Sequence, residues 1–127
     1  MPIEVSELKT KSGHPILRAN FISEVTVADA RRYHSELVPG ARYDGFGHLI
    51  CGNITGVSGD VKKVLASQKA DPKNPTPIAI ILSSALARMA AGLAMRLTDN
   101  GNSETFKNET EALDWLDARM TDYLKKR

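Results

Sequence analysis

The chain of 127 residues is poor in the side chains that most binding and redox chemistry needs: one cysteine, three histidines, one tryptophan and an aromatic share of 6%. A single cysteine, Cys51, excludes an internal disulfide, and with no CxxC pair it offers no thiolate metal site. The histidines at 14, 34 and 48 fall on different predicted elements, so no metal centre is expected. Charge of one sign is also lacking. Seventeen Lys and Arg against fifteen Asp and Glu leave a formal +2, and the excess gathers in the terminal "LKKR", where it complements a helix dipole. Without a basic stripe interleaved with aromatics, a nucleic-acid partner is not expected.

The opening "MPIEVSELKTKSGHP" has neither the basic segment nor the apolar segment of a secretory signal. Together with the reduced cysteine this predicts a cytoplasmic protein. The one long apolar stretch, "PIAIILSSALARMAAGLAMRL" (77–97), is interrupted by Ser83, Ser84, Arg88 and Arg96. Its first part is β-branched and its second alanine-rich, which predicts a buried strand followed by a helix and no transmembrane segment. With 42% hydrophobic and 25% charged residues, residues 1–127 are expected to form one α/β domain that buries about two-thirds of its unfolded surface.

Along the chain, "IEVSELKT" (3–10) alternates Ile3, Val5 and Leu8 with polar neighbours, and "KSGHP" then turns the chain into "ILRANFIS" (16–23). This predicts a hairpin with one buried face. Thr26 stands as an N-cap, with Asp29 as its acidic partner, before a helix over 27–37 whose buried side is Val27, Ala30, Tyr33, His34 and Leu37. "HLICGNIT" (48–55) predicts a central strand, "GDVKKVLASQK" (59–69) a short helix, "ADPKNPTP" (70–77) a loop and "IAIIL" (78–82) a strand covered on both faces. A helix over 85–100, an edge strand over 103–107 and a last helix capped by Asn108 follow. In that last helix Leu113, Leu116, Met120 and Leu124 form the predicted core stripe, and Glu111 is the predicted partner of its cap.

The resulting order, β-β-α-β-α-β-α-β-α, resembles the STAS domain. The stretch 77–97, together with the motif F-x-x-x-x-E-A-L-x-W-L over 106–116, resembles the SpoIIAA-like, anti-sigma-factor-antagonist-like group of small bacterial proteins. The resemblance implies a mixed sheet of four or five strands with helices mainly on one side, no cofactor, and a protein-interaction or regulatory role without chemistry of its own. In the antagonist branch, a serine at the start of the helix after the third strand is phosphorylated within an Asp-Ser turn by a partner kinase. Ser58 and Thr55 occupy that place here and are the candidate phospho-acceptors. However, "TGVSGD" has no aspartate before Ser58 and carries Asp60 after it. The same residues also read as a helix start, with Ser58 the cap and Asp60 in the first turn.

Other chemistry at the glycine-rich stretch "CGNITGVSGD" (51–60) meets specific obstacles. A phosphate cradle needs a lysine directly after its last glycine, and Lys62 and Lys63 lie inside the predicted helix. A dinucleotide fingerprint fails because Gly45 and Gly47 precede the strand. Cys51 and His48, three apart on a strand, face opposite sides and form no nucleophile–base pair, so no catalytic residue is expected. The helix over 85–97 combines small residues with Leu86, Met89 and Leu97. Arg88 and Arg96 lie about 80° apart around its axis. Arg88, Met89, Gly92 and Arg96 are therefore the candidate surface for a protein partner or a second copy in a homodimer. The alternative reading is an apolar ligand or lipid held between helices and sheet.

Overall fold

The computed structural model describes residues 3–22, 26–36, 40–52, 76–82, 84, 85, 89 and 102–127. Its elements are β1 (Ile3–Lys9), β2 (Pro15–Phe21), α1 (Val27–Ser35), β3 (Gly47–Gly52), β4 (Ile78–Ile81), β5 (Ser103–Phe106) and α2 (Glu109–Lys126). The strands form one five-stranded sheet in the order β1-β2-β3-β4-β5. β1 is antiparallel to β2, and every later neighbour is parallel. The helices expected over 59–69 and 85–100 lie outside the described residues, apart from Ala85 and the exposed Met89.

Side-chain alternation assigns the two described helices to opposite faces. Leu17, Ala19 and Phe21 of β2 pack with Ala30 and Tyr33 of α1, and Ile3 and Tyr43 join them. Ile16, one residue out of step, packs with Leu49, Ala79 and the α2 residues Ala112, Leu116, Met120 and Tyr123. β2 is thus buried on both faces, whereas its sequence read as a hairpin strand with one face in water. The solvated strand of the hairpin is β1, where Ile3 is buried but Val5 is 39% exposed.

The helix starts follow the cap chemistry. Thr26 Oγ1 accepts from Asp29 N–H at 3.2 Å while Thr26 N–H donates to Asp29 Oδ2 at 3.0 Å, the reciprocal arrangement of a capping box. At α2, Asn108 Oδ1 accepts from Glu111 N–H at 2.9 Å, and the Glu111 carboxylate sits 3.8 Å from Lys107 Nζ. The buried side of α2 is Ala112, Leu116, Met120 and Tyr123. Leu113 and Trp115 are half-buried and Leu124 is exposed, so the expected leucine stripe is turned by about one position.

Close approach explains that phase: a Cβ on Gly47 would lie 2.8 Å from Ile16 Cδ1 and 2.9 Å from Met120 Sδ. The helix lies so near β3 that a small residue, Ala112, and the slender Met120 suit the contact better than further leucines. Phe106 and Trp115 of the sequence motif pack at a 53° tilt, ring centres 5.6 Å apart, between β5 and α2. Arg127 ties the far end of α2 to Asp44 at 2.7 Å. No described helix is long and apolar enough to cross a membrane.

Candidate functional site

The four parallel strands end together at the carboxyl edge of the sheet, where open α/β sheets bind ligands at a reversal of strand order; the order β1-β2-β3-β4-β5 has no such reversal. β3 carries the two side chains whose chemistry the sequence singled out, and alternation sends them apart. His48 faces α1, with its Nδ1 3.4 Å from Tyr33 Oη and the rings edge-on at 6.5 Å. Cys51 sits on the α2 face, near the end of the strand, where its Sγ approaches Ala19 C=O at 3.6 Å and Asn20 Oδ1 at 3.8 Å.

Beside Cys51 on β2, Arg18 Nε donates to Glu109 Oε1 at 2.8 Å, which joins the strand to the first turn of α2. Gly52 ends β3 at φ +91, and a Cβ there would strike Phe21 C=O and stand 2.5 Å from Asn20 Oδ1. The chain therefore leaves β3 toward Thr55 and Ser58 through a conformation that glycine alone adopts cheaply.

The electrostatics keep both β3 groups neutral. Burial pushes the His48 imidazole down to about 4, so it is uncharged at neutral pH. Burial likewise raises Tyr33. The Cys51 thiol is pushed up by burial, with Arg18 pulling it the other way and Glu109 reinforcing the rise. A protonated thiol is a poor nucleophile and a poor metal ligand. The Arg18 guanidinium is held above its usual range by its bond to Glu109.

Two further features had no signature in the sequence. One is a clasp between the β1–β2 turn and α2. Ser12 donates to Asp117 from both N–H (3.0 Å) and Oγ (2.9 Å), and His14 Nε2 lies 2.9 Å from Thr121 Oγ1. Thr10 and Ser12 hold the Asp117 carboxyl below its usual range. No imidazole stands between Ser12 and Asp117, so the clasp is not a relay for nucleophilic attack. The other is a cavity of about 90 Å³ beside β1, floored by Ile3, Val5, Tyr33 and Tyr43 and flanked by Arg32, Glu36 and Arg42.

Of the residues singled out by sequence, Ser58, Thr55, Arg88, Gly92 and Arg96 lie outside the described residues. Met89 is 66% exposed. Among the described residues no three His, Cys, Asp or Glu side chains come together as a metal site.

No family model and no curated protein matches the chain. A solved structure does: an uncharacterized protein of the DUF3478 family with a SpoIIAA-like fold, from Shewanella loihica PV-4. The similarity covers 90% of this chain and 93% of that one, with a TM-score of 0.57 and 21% identity. The chain has a SpoIIAA-like fold.

Proposed function

We propose that the protein is a non-enzymatic protein-interaction or regulatory module that works in the cytoplasm, without a cofactor, through a protein partner or a second copy. The observation that carries this reading is the SpoIIAA-like sheet, matched over 90% of the chain. It is a fold-level argument, and the site chemistry agrees with it. The thiol of Cys51 is buried and protonated, and the imidazole of His48 is buried on the opposite face. Ser58 and Thr55, which follow the glycine exit from β3, are the positions where a partner kinase would regulate the module.

The alternative is an apolar-ligand carrier; the cavity beside β1, at about 90 Å³, is well short of the roughly 300–1,000 Å³ of small-molecule sites, so a carrier would hold its ligand elsewhere. Native mass spectrometry of the gently purified chain tests the choice. A complex with another protein chain or with a second copy, carrying no small molecule, is the expected result. A chain that appears only as a monomer with a retained hydrophobic molecule overturns the module in favour of a carrier.

A further inference from the structure

Among the described residues strand β1 has β2 on one side and no strand on its other edge. The hairpin sets the phase of that edge, because Thr10 N–H donates to the C=O of His14, directly across the turn, at 2.9 Å. Bonded and non-bonded pairs alternate along an antiparallel ladder. Glu4, Ser6 and Leu8 therefore turn their main-chain groups to β2, and Ile3, Val5, Glu7 and Lys9 turn theirs outward. The edge is seven residues long and carries no proline, so it is a ready template for another strand.

The side chains beside it indicate which strand. Ile3 and Val5 lie on the α1 face, where they floor the cavity flanked by Arg32, Arg42 and Glu36. The cavity thus borders the edge with two positive charges and one negative. We propose that β1 pairs antiparallel with β1 of a second copy, about a two-fold axis at Ser6 and normal to the sheet, to make one continuous sheet.

In this register Val5 lies opposite Glu7 of the second copy, which brings a carboxylate to the side flanked by Arg32 and Arg42. Ile3 lies opposite Lys9 of the second copy, on the face that also carries Glu36. The outward groups of Ile3, Val5, Glu7 and Lys9 meet one another in bonded pairs, and no like charges stand directly opposite. Neighbouring registers are poorer. One sets Glu7 against Glu7, which repels; the other sets Val5 against Val5 and leaves Lys9 outside the ladder.

The pairing extends the module reading by naming a self-partner and the strand that binds it. Sedimentation equilibrium of the full chain tests it, with circular dichroism to show that each variant is folded. Val5→Pro removes an outward N–H without touching a bond to β2, and proline is tolerated on edge strands. With two symmetric copies of each lost contact, Val5→Pro and Glu7→Lys are each expected to weaken the dimer by about 10- to 100-fold.

Ser6→Cys gives an independent readout. Cα atoms of a non-bonded pair across the axis stand about 4.5 Å apart, within disulfide range, so this variant is expected to cross-link on mild oxidation. A wild-type chain that is monomeric at about 100 µM overturns the pairing, as does a dimer unchanged in Val5→Pro and Glu7→Lys, or a Ser6→Cys chain that does not cross-link. A ligand-free monomer defeats the pairing alone, because the module reading fails on a monomer that retains a hydrophobic molecule.

Discussion

Protonation of His48 should be a principal source of acid sensitivity. The ring is 6% exposed on a central strand, and its side-chain neighbour Tyr33 is a neutral phenol. Burial holds the folded-state pKa at about 4, whereas the unfolded chain should titrate near 6.5. Between these values the unfolded state binds the extra proton, so acid favours unfolding. The stabilisation from a neutral His48 is complete above pH 6.5 and is lost as the pH falls toward 4. Linkage gives a loss of about 2 kcal/mol between pH 8 and pH 5, and about 3 kcal/mol by pH 4.

Carboxylates contribute to the same profile at its acid end, since hydrogen bonds hold Asp29, Asp44 and Asp117 below their usual range. A His48→Asn variant removes the imidazole titration and leaves theirs. Urea unfolding followed by the fluorescence of Trp115, the chain's only tryptophan, should be measured for both proteins from pH 8 to pH 4.5. The stability difference between wild type and variant should narrow by about 2 kcal/mol on going from pH 8 to pH 5. A difference that stays constant across that range would refute the buried, neutral placement of His48.

Three other outcomes follow from the same geometry. Gly52→Ala forces a Cβ against the Phe21 carbonyl at φ +91 and should cost about 1–3 kcal/mol in chemical denaturation. Asn108→Ala removes the acceptor for Glu111 N–H and should cost about 1 kcal/mol, with faster hydrogen exchange in the first turn of α2. Cys51 should react with a thiol reagent at pH 7 at least about 100-fold more slowly in the folded chain than in urea. Rapid labelling of the native protein would show that the thiol is exposed or ionised.

Much of the framework was legible because it rests on local signals. The apolar runs "HLIC" and "IAII" marked β3 and β4, and Thr26 and Asn108 marked both described helix starts. The alternation rule alone separates His48 from Cys51. The phase of α2 is not legible, because ranking by hydrophobicity favours leucine over alanine and tyrosine, while contact with the sheet at Gly47 favours small or slender groups. The burial of both faces of β2 is not legible, because its inner neighbour is a strand 26 or more residues later in sequence, and nothing in a window of eight residues encodes that. The Arg18–Glu109 pair spans 91 residues and the Ser12–Asp117 clasp 105, so neither had a local pattern. The glycine-rich stretch was legible only in part: Gly52 is a required turn, and Ser58 and Thr55 lie outside the described residues.

The packing also limits where a partner can dock. α1 covers one face of β2, and α2 covers the opposite face of the sheet over β3, β4 and β5, and the residues beneath them are almost wholly buried, so among the described residues the middle of the sheet presents no large exposed apolar face. Among the described residues the large exposed hydrophobics are Val5, Ile22, Met89 and Leu124. Leu124 stands alone among charges at the end of α2. Val5 lies on the free edge of β1, and Ile22 follows β2 at the carboxyl end of the sheet. Among the described residues, the apolar surface left for a partner is therefore at the margins of the sheet. Those margins are distinct surfaces: the β1 edge offers main-chain hydrogen bonds, while the carboxyl edge carries Gly52, where β3 ends. Self-pairing through β1 uses main-chain groups that the carboxyl edge does not share, so Val5→Pro should weaken the first by about 10- to 100-fold and leave a partner bound at the second unaffected.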